Sequence, residues 1–400
     1  MSRQAFLVPF LNAGHVCVHL LMLIFPTAVL AIGPQWGMRY DDLLPLALGG
    51  FIAYGAGSLP AGWLGDRWSR RGMMIAFFLG TGAAAVLTGL ARDPLELGIG
   101  MTLIGLGASI YHPVGIAMLV KDQAKVGQAL GVNGFFGNLG IAGAALVTGV
   151  IADAFGWRAA FAVPGVAAIA LGIGFILLKP AEAAQDSEAS NGEATGKGGA
   201  GRQLAWRLIA AVLIAAVADS LVFNATTIAM PKVFEERVVA VAHSTTGIGA
   251  LVSGVYIIAA LAQIWVGHLI DRHALHRILI PLAGLQIVLL LAAGGMSGYW
   301  MVATTTAMMF VIFGLIPIMD AAVAKYVDDR WRSRVYAVSY VVSFGVGPAA
   351  IPLVAALHDD AGGFPHLFLA LALIASGTFA AGLLLPRDLV RRGNEKAAAI

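Results

Sequence analysis

Twelve apolar runs of about 20 residues each dominate this chain, and they leave few folds open to it. At 1.5 Å of rise per residue, each run is long enough to cross the roughly 30 Å hydrocarbon core of a bilayer as an α-helix. The pattern predicts helices over 7–33, 43–64, 72–91, 95–120, 127–152, 157–178, 205–231, 245–270, 275–296, 299–325, 333–357 and 364–386. A membrane β-barrel would instead show segments of about 10 residues with alternating polarity. Charged residues make up 12% of the chain and mean hydropathy is +0.84, too few charges to coat a water-soluble surface of this size. The 50 glycines fit closely packed membrane helices, because small residues let backbones approach. The single cysteine, Cys17, excludes an internal disulfide and a cysteine-based metal site. The first run is too long for a signal peptide and carries Asn12, His15 and His19, so it reads as a retained helix.

Charge orients these helices. With the N-terminus inside, 20 of the 25 Lys and Arg residues fall on the cytoplasmic side, and only Arg39, Arg92, Arg158, Lys232 and Arg237 fall outside. Both termini are then cytoplasmic, and the expected location is the inner (plasma) membrane. The net charge of +3 is explained by this bias; no basic run with aromatic platforms points to nucleic acid. One connection is long: residues 181–204 are rich in Ala, Gly, Ser and Glu and read as a flexible cytoplasmic linker. It separates an N-terminal six-helix half (1–180) from a C-terminal half (205–400).

The halves repeat. Gly62-Trp63-Leu64-Gly65-Asp66-Arg67 recurs as Gly267-His268-Leu269-Ile270-Asp271-Arg272, and Pro26 recurs as Pro231, both at an offset of 205. Parallel repeats of this kind characterise secondary transporters. The segment Gly62–Arg71 resembles the loop 2–3 signature of the major facilitator superfamily, with a weaker copy at Gly267–Arg272. The resemblance covers residues 7–386 and implies an all-α membrane fold of twelve helices in two pseudo-symmetric halves. It also implies a gate: Gly62 packing helix 2 against helix 11, and Asp66, Arg67, Asp271 and Arg272 capping and tying helix ends, in keeping with helix dipoles. The stretch Gly105–Pro113 resembles the His-Pro-interrupted helix 4 of fosmidomycin-resistance-type exporters. It departs from many proton-coupled drug exporters, which carry an Arg where this chain has Met101.

The ionisable groups inside the runs are His15, His19, His112, Asp219 and Asp320, on helices 1, 4, 7 and 10. Those helices line the central cavity in the family the chain resembles. A charge at the bilayer centre costs roughly 2.5–3.5 kcal/mol even on insertion scales, so such groups face a cavity or a partner. Asn12, His15 and His19 share one stripe of helix 1, and Met101, Gly105 and His112 one face of helix 4. Asn12, His15, His19, Tyr111, His112, Asp219 and Asn224 form the expected substrate cavity. Asp219 has no Lys or Arg near it on its helix, and reads as a carboxyl able to exchange a proton. Asp320 either shares that role or pairs with Lys325 or an arginine of the following loop. Each histidine also has a plainer reading, a packed ring bonded to a carbonyl. Trp63, Trp68, Trp157, Trp300 and Trp331 read as interfacial belt residues, and Arg158 as an anchor of helix 6.

No phosphate-binding loop, metalloprotease helix or catalytic triad is present, so an enzyme is not expected, and no cofactor or resident metal is assigned. The expectation is a monomeric, proton-coupled exporter of small organic molecules. Transport of a divalent metal or metal chelate on His15, His19 and His112 is the alternative. A receptor that kept the fold but lost transport is a third.

Overall fold

The structure, a computed structural model, describes residues 4–121, 126–177, 202–239, 241–327, 329–358 and 363–385. It is an all-helical membrane bundle. In chain order the spans are α1 (Leu7–Trp36), α2 (Tyr40–Arg67), α3 (Arg70–Gly89), α4 (Pro94–Val120), α5 (Gln128–Phe155), α6 (Trp157–Leu177), α7 (Arg207–Arg237), α8 (Thr245–Arg272), α9 (Leu275–Ala293) and α10 (Gly298–Tyr326). After these come α11 (Asp329–Val346, continued by Ala350–Leu357) and α12 (Pro365–Leu384). All but α11 are, by length and composition, long and apolar enough to cross a membrane; the apolar part of α11 is Val341–Leu357. Large apolar side chains cover the outer surface, with Leu95 73%, Leu373 67% and Ile264 60% exposed. Such a surface fits the lipid contact expected of membrane spans.

Helix ends are fixed locally. Asp93 accepts from the Glu96 amide at 2.9 Å while the Glu96 carboxylate accepts from the Arg92 amide at 2.8 Å, a reciprocal cap at the start of α4. Ser244 caps α8 by accepting from the Gly247 amide. Gly37, at φ 63°, closes α1 in a left-handed conformation that costs other residues strain.

Four spans are interrupted, which apolar run lengths alone could not foretell; in α2 the break is a 3-10 turn at Leu44–Ala47, around Pro45. The expected single helix 1 consists of Gln4–Met22 and Phe25–Trp36, because Pro26 offers no amide and its ring crowds the preceding turn. In α4 the backbone widens into a π-helical turn over Tyr111–Gly115, around Pro113. In α11 a tight 3-10 turn at Gly347–Ala349 surrounds Pro348. The helix of α7 runs from Arg202 to Arg237, so residues 202–204 are helical rather than linker, and its far end lies six residues beyond the expected limit. The rest of the expected linker, 181–201, and the extreme termini lie outside the described residues.

The twelve helices form two six-helix pseudo-symmetric halves. In the first, α3 packs on α6 and α4, α1 on α5, and α2 on α4; in the second, α8 packs on α10, α9 on α12 and α10, and α7 on α12. The halves meet along α5–α8, α2–α11 and α1–α7. Glycine permits the closest of these approaches. A Cβ on Gly105 would run into the Gly50 backbone between α4 and α2, and one on Gly249 into the Ala145 carbonyl between α8 and α5.

Candidate functional site: a cavity between the halves

A cavity of about 340 Å³ lies between the halves. From the first half, His19, Met22, Phe51 and Tyr54 line it; from the second, Asp219, Asn224, Asp320 and Phe344 are among its walls. The lining extends toward Val212, Val323 and Ser339, at the end of the bundle that carries the α2–α3 and α8–α9 loops. The walls are mostly apolar, and among the described residues lining the cavity none is Lys or Arg.

The opposite end is sealed. Tyr40, from the first half, stacks edge-on against His358 with ring centres 5.1 Å apart. His358 Nε2 lies 2.8 Å from Glu236, and Lys232 bridges Glu235 and Glu236 while sitting over the Tyr40 ring. The Asp153 carboxylate at the end of α5 accepts from the Thr246 amide at 2.7 Å, fastening α5 to α8. This polar plug at the ends of α2, α7 and α11 was not foreseen from the sequence. Its members are far apart in the chain, and each alone looks like an interfacial residue.

Behind the first-half wall lies a buried polar cluster. His15 and His19 meet at 3.2 Å between their Nε2 atoms, one helical turn apart. His15 Nδ1 donates to the Asn133 carbonyl at 2.7 Å. The Asn133 amide donates to Asn12 Oδ1 at 2.9 Å and to the Tyr111 hydroxyl at 2.9 Å, and that hydroxyl donates to the Leu11 carbonyl at 2.7 Å. His112 Nδ1 is 3.1 Å from the Tyr54 hydroxyl. Apart from the His15–His19 pair within α1, every contact spans two helices, so the cluster fixes α1, α2, α4 and α5 relative to one another.

These positions revise the expected cavity. His19, Asp219 and Asn224 line it, whereas Asn12, His15, Tyr111 and His112 stand behind the wall. The physical reason is the π turn of α4, which draws Tyr111 into the core with no exposed surface and sets His112 against the two α1 histidines. Met101 and Gly105 face α2 rather than the cavity. Tyr54 and Asn133 were missed by attention to ionisable groups alone. An amide or phenol inside an apolar run would have flagged both.

In the second half, Thr378 on α12 donates to Asp219 at 2.6 Å, a hydroxyl partner where no Lys or Arg was expected nearby. Ser220 donates to the Ser343 carbonyl at 2.6 Å, next to the turn that Pro348 forces in α11. Asn224 donates to the Ser220 carbonyl at 2.8 Å. Lys325 does not pair with Asp320; its ammonium donates to the Ile270 carbonyl at 2.7 Å, capping α8.

In the loop signature, Gly62 approaches Pro113 of α4, and it is at Gly55 that a Cβ would meet the α11 backbone, at Phe344. Asp66 pairs with Arg70 at 2.7 Å on the surface, and Arg67 lies over the Trp63 ring. Helix capping falls to their neighbours. Ser69 caps α3, and Arg71 donates to the Phe175 and Ile176 carbonyls at the end of α6. Asp271 and Arg272 are exposed at the end of α8. Of the belt tryptophans, Trp63, Trp68 and Trp300 are exposed as expected; Trp157 is instead buried and donates to Gln35 at 2.5 Å. Arg158 donates to the Ala91 carbonyl and lies over the Trp157 ring, tying α6 to the α3–α4 connection. The Trp331 side chain lies outside the described residues.

Among proteins of known sequence, the chain is similar to the 4-hydroxybenzoate transporter PcaK of Pseudomonas putida, with 26% identity over 38% of this chain and 35% of that protein. It is 33% identical to the probable sulfoacetate transporter SauU of Cupriavidus necator over 31% of this chain and 29% of the relative. It is 31% identical to the puromycin resistance protein pur8 of Streptomyces alboniger over 27% of this chain and 22% of the relative. The matched stretches thus span about a third or less of each relative's length. Among solved structures, the peptide transporter POT in complex with sulfate superposes with a TM-score of 0.71 at 16% identity, covering 96% of this chain and 94% of that one. A bacterial homolog of the human lysosomal transporter Spinster, inward-facing and unoccupied, superposes with a TM-score of 0.69 at 15% identity, covering 96% and 95%. The sequence pattern of the Major Facilitator Superfamily matches residues 12–237 and again 212–399. This multi-pass membrane protein belongs to the Major Facilitator Superfamily.

Proposed function

We propose that this chain is a proton-coupled exporter of small organic molecules that works by alternating access, with Asp219 as its principal proton carrier. The observation that carries the reading is Asp219 itself: a carboxyl on the wall of an otherwise largely apolar cavity, held by the neutral Thr378 hydroxyl. Burial disfavours a charge that has no opposite charge to meet it, so gain and loss of a proton changes which arrangement of the halves is stable. Asp320 lines the same cavity and is the second candidate. The halves, 1–180 and 205–400, rock about the cavity while residues 181–204 tether them. Gly62, Asp66, Arg67, Asp271 and Arg272 belong to the moving end, where loop contacts exchange between states. The protein acts as a monomer in the inner membrane with both termini cytoplasmic, in line with the lysine and arginine bias.

The puromycin resistance relative and the His-Pro break of α4 favour export. The apolar walls favour a substrate with an apolar body. The deciding experiment is flux through the purified full chain in liposomes under an imposed pH difference. Its panel contains an aromatic acid, a short sulfonated acid, an aminonucleoside and divalent metals. Gradient-dependent movement of an organic compound supports the reading; movement of metals alone replaces it with the metal-transport alternative. Movement of none, by folded protein, removes it.

A further inference from the structure

We infer that His15, His19 and His112 form a binding site for a first-row divalent metal ion of the zinc or cobalt class, built in the N-terminal half and opening on the cavity at His19. The claim concerns binding and stands apart from the proton-coupled reading, since an ion held here is either cargo or a fixture of α1 and α4.

Three imidazoles converge from two helices. Ring centres are 5.0 Å apart for His15–His19, 5.2 Å for His15–His112 and 5.4 Å for His19–His112. One nitrogen of each ring lies within 4.8 Å of those of the other two. A tetrahedral ion with metal–nitrogen bonds of about 2.0–2.1 Å holds its ligand nitrogens roughly 3.3–3.4 Å apart. The His15–His19 pair, at 3.2 Å, already has that spacing. Closing His112 onto it takes a shift of up to roughly 1.5 Å.

The surroundings orient the rings as a metal would require. The Asn133 carbonyl can only accept, so His15 Nδ1 carries the proton and its Nε2 presents a lone pair. A histidine anchored at one nitrogen by a backbone carbonyl is the usual second shell of a metal ligand. Tyr54 engages His112 at Nδ1 at 3.1 Å, and with its phenol oxygen accepting from an Nδ1–H the Nε2 atom is left to ligate. Between His15 and His19 a single proton on His19 Nε2 completes their contact. A cation takes that proton's place when His19 shifts its proton to Nδ1.

Charge and chemistry select the ion. The set is all imidazole, which suits zinc, cobalt, nickel and copper and disfavours magnesium or calcium. Neutral ligands leave the double charge of the ion to be met elsewhere. The cavity that His19 lines carries Asp219 on its wall and, among its described residues, no Lys or Arg, so nothing there repels a cation. Three protein ligands leave a fourth position, which at His19 faces the cavity and is open to exchange. The plainer reading, three packed rings bonded to carbonyls, accounts for His15 alone; it gives no reason for all three to share one small volume.

The test uses the full chain, purified in detergent without a polyhistidine tag. Zinc is titrated by calorimetry, and cobalt(II) by its visible absorption, which reports tetrahedral coordination. One saturable equivalent is expected, with a tetrahedral cobalt spectrum. His15→Gln, His19→Gln and His112→Gln should each weaken binding at least tenfold, whereas His268→Gln, at an exposed position on α8, should not. Tyr54→Phe keeps the packing and removes only the outer contact. It should weaken zinc binding about 10–100-fold and reduce the zinc-induced rise in unfolding temperature, even if a histidine variant fails to fold. Absence of saturable binding by the parent overturns the inference. So does binding that the folded His→Gln and Tyr54→Phe variants retain at parental strength.

Discussion

A methyl group at Gly55 tests whether the α2–α11 contact sets the balance between conformations. A Cβ there would lie 2.6 Å from the Phe344 carbonyl oxygen and 3.2 Å from its carbon. Ordinary van der Waals contact begins near 3.4 Å, so Gly55→Ala forces α2 and α11 apart by about 0.8 Å. The obstacle is backbone, which cannot rotate away as a side chain would. Overpacking of this kind costs about 1–3 kcal/mol. That cost applies to the arrangement described above, with α11 against α2 and the Tyr40–His358 end sealed. An alternative arrangement that parts the two helices is spared it, so the equilibrium shifts by roughly 5- to 150-fold at 1.4 kcal/mol per factor of ten. The assay is maleimide labelling of a Cys17→Ser, Ser339→Cys protein in liposomes, because Ser339 lines the cavity toward its α2–α3 loop end. Adding Gly55→Ala should slow labelling from that side by at least fivefold and lower transport, while insertion and yield stay unchanged. Unchanged labelling and transport would show that the contact persists in both states, and the reasoning would fail.

Asp219→Asn mimics the protonated carboxyl permanently; it should abolish accumulation driven by a pH difference while sparing substrate binding, and uphill accumulation by this variant in liposomes would exclude Asp219 from coupling. Asp66→Asn breaks an exposed pair with Arg70, worth about 0–1 kcal/mol, so thermal unfolding in detergent should not move. If the loop belongs to the gate, both Asp66→Asn and Arg67→Ala nevertheless slow transport, and parental rates in both would refute that role. Trp157→Phe removes the indole donor to Gln35 and weakens the surface on which Arg158 rests; a loss of about 1 kcal/mol, read as a lower unfolding temperature, is expected.

The membrane class, the helix count and the internal repeat were legible because they depend on composition and run length. A bilayer demands about 20 apolar residues per crossing, and that demand is written locally. The ionisable groups also announced themselves, since His15, His19, His112 and Asp219 are costly in lipid wherever the chain runs. What the sequence could not state was which of them meet. A strict 100° helical wheel placed His112 on a cavity face with Met101 and Gly105, but the π turn at Tyr111–Gly115 changes the helical phase between them. Gate capping was assigned to Asp66 and Arg67 by motif, yet Ser69, Arg71 and Lys325 reach the free helix-end groups, because reach depends on where neighbouring helices end. The Thr378–Asp219 contact and the His358–Glu236–Lys232 plug join residues 159 and 122–126 positions apart. Burial of each group is thus dictated by the chain's own chemistry, while its partner is chosen only when twelve helices pack.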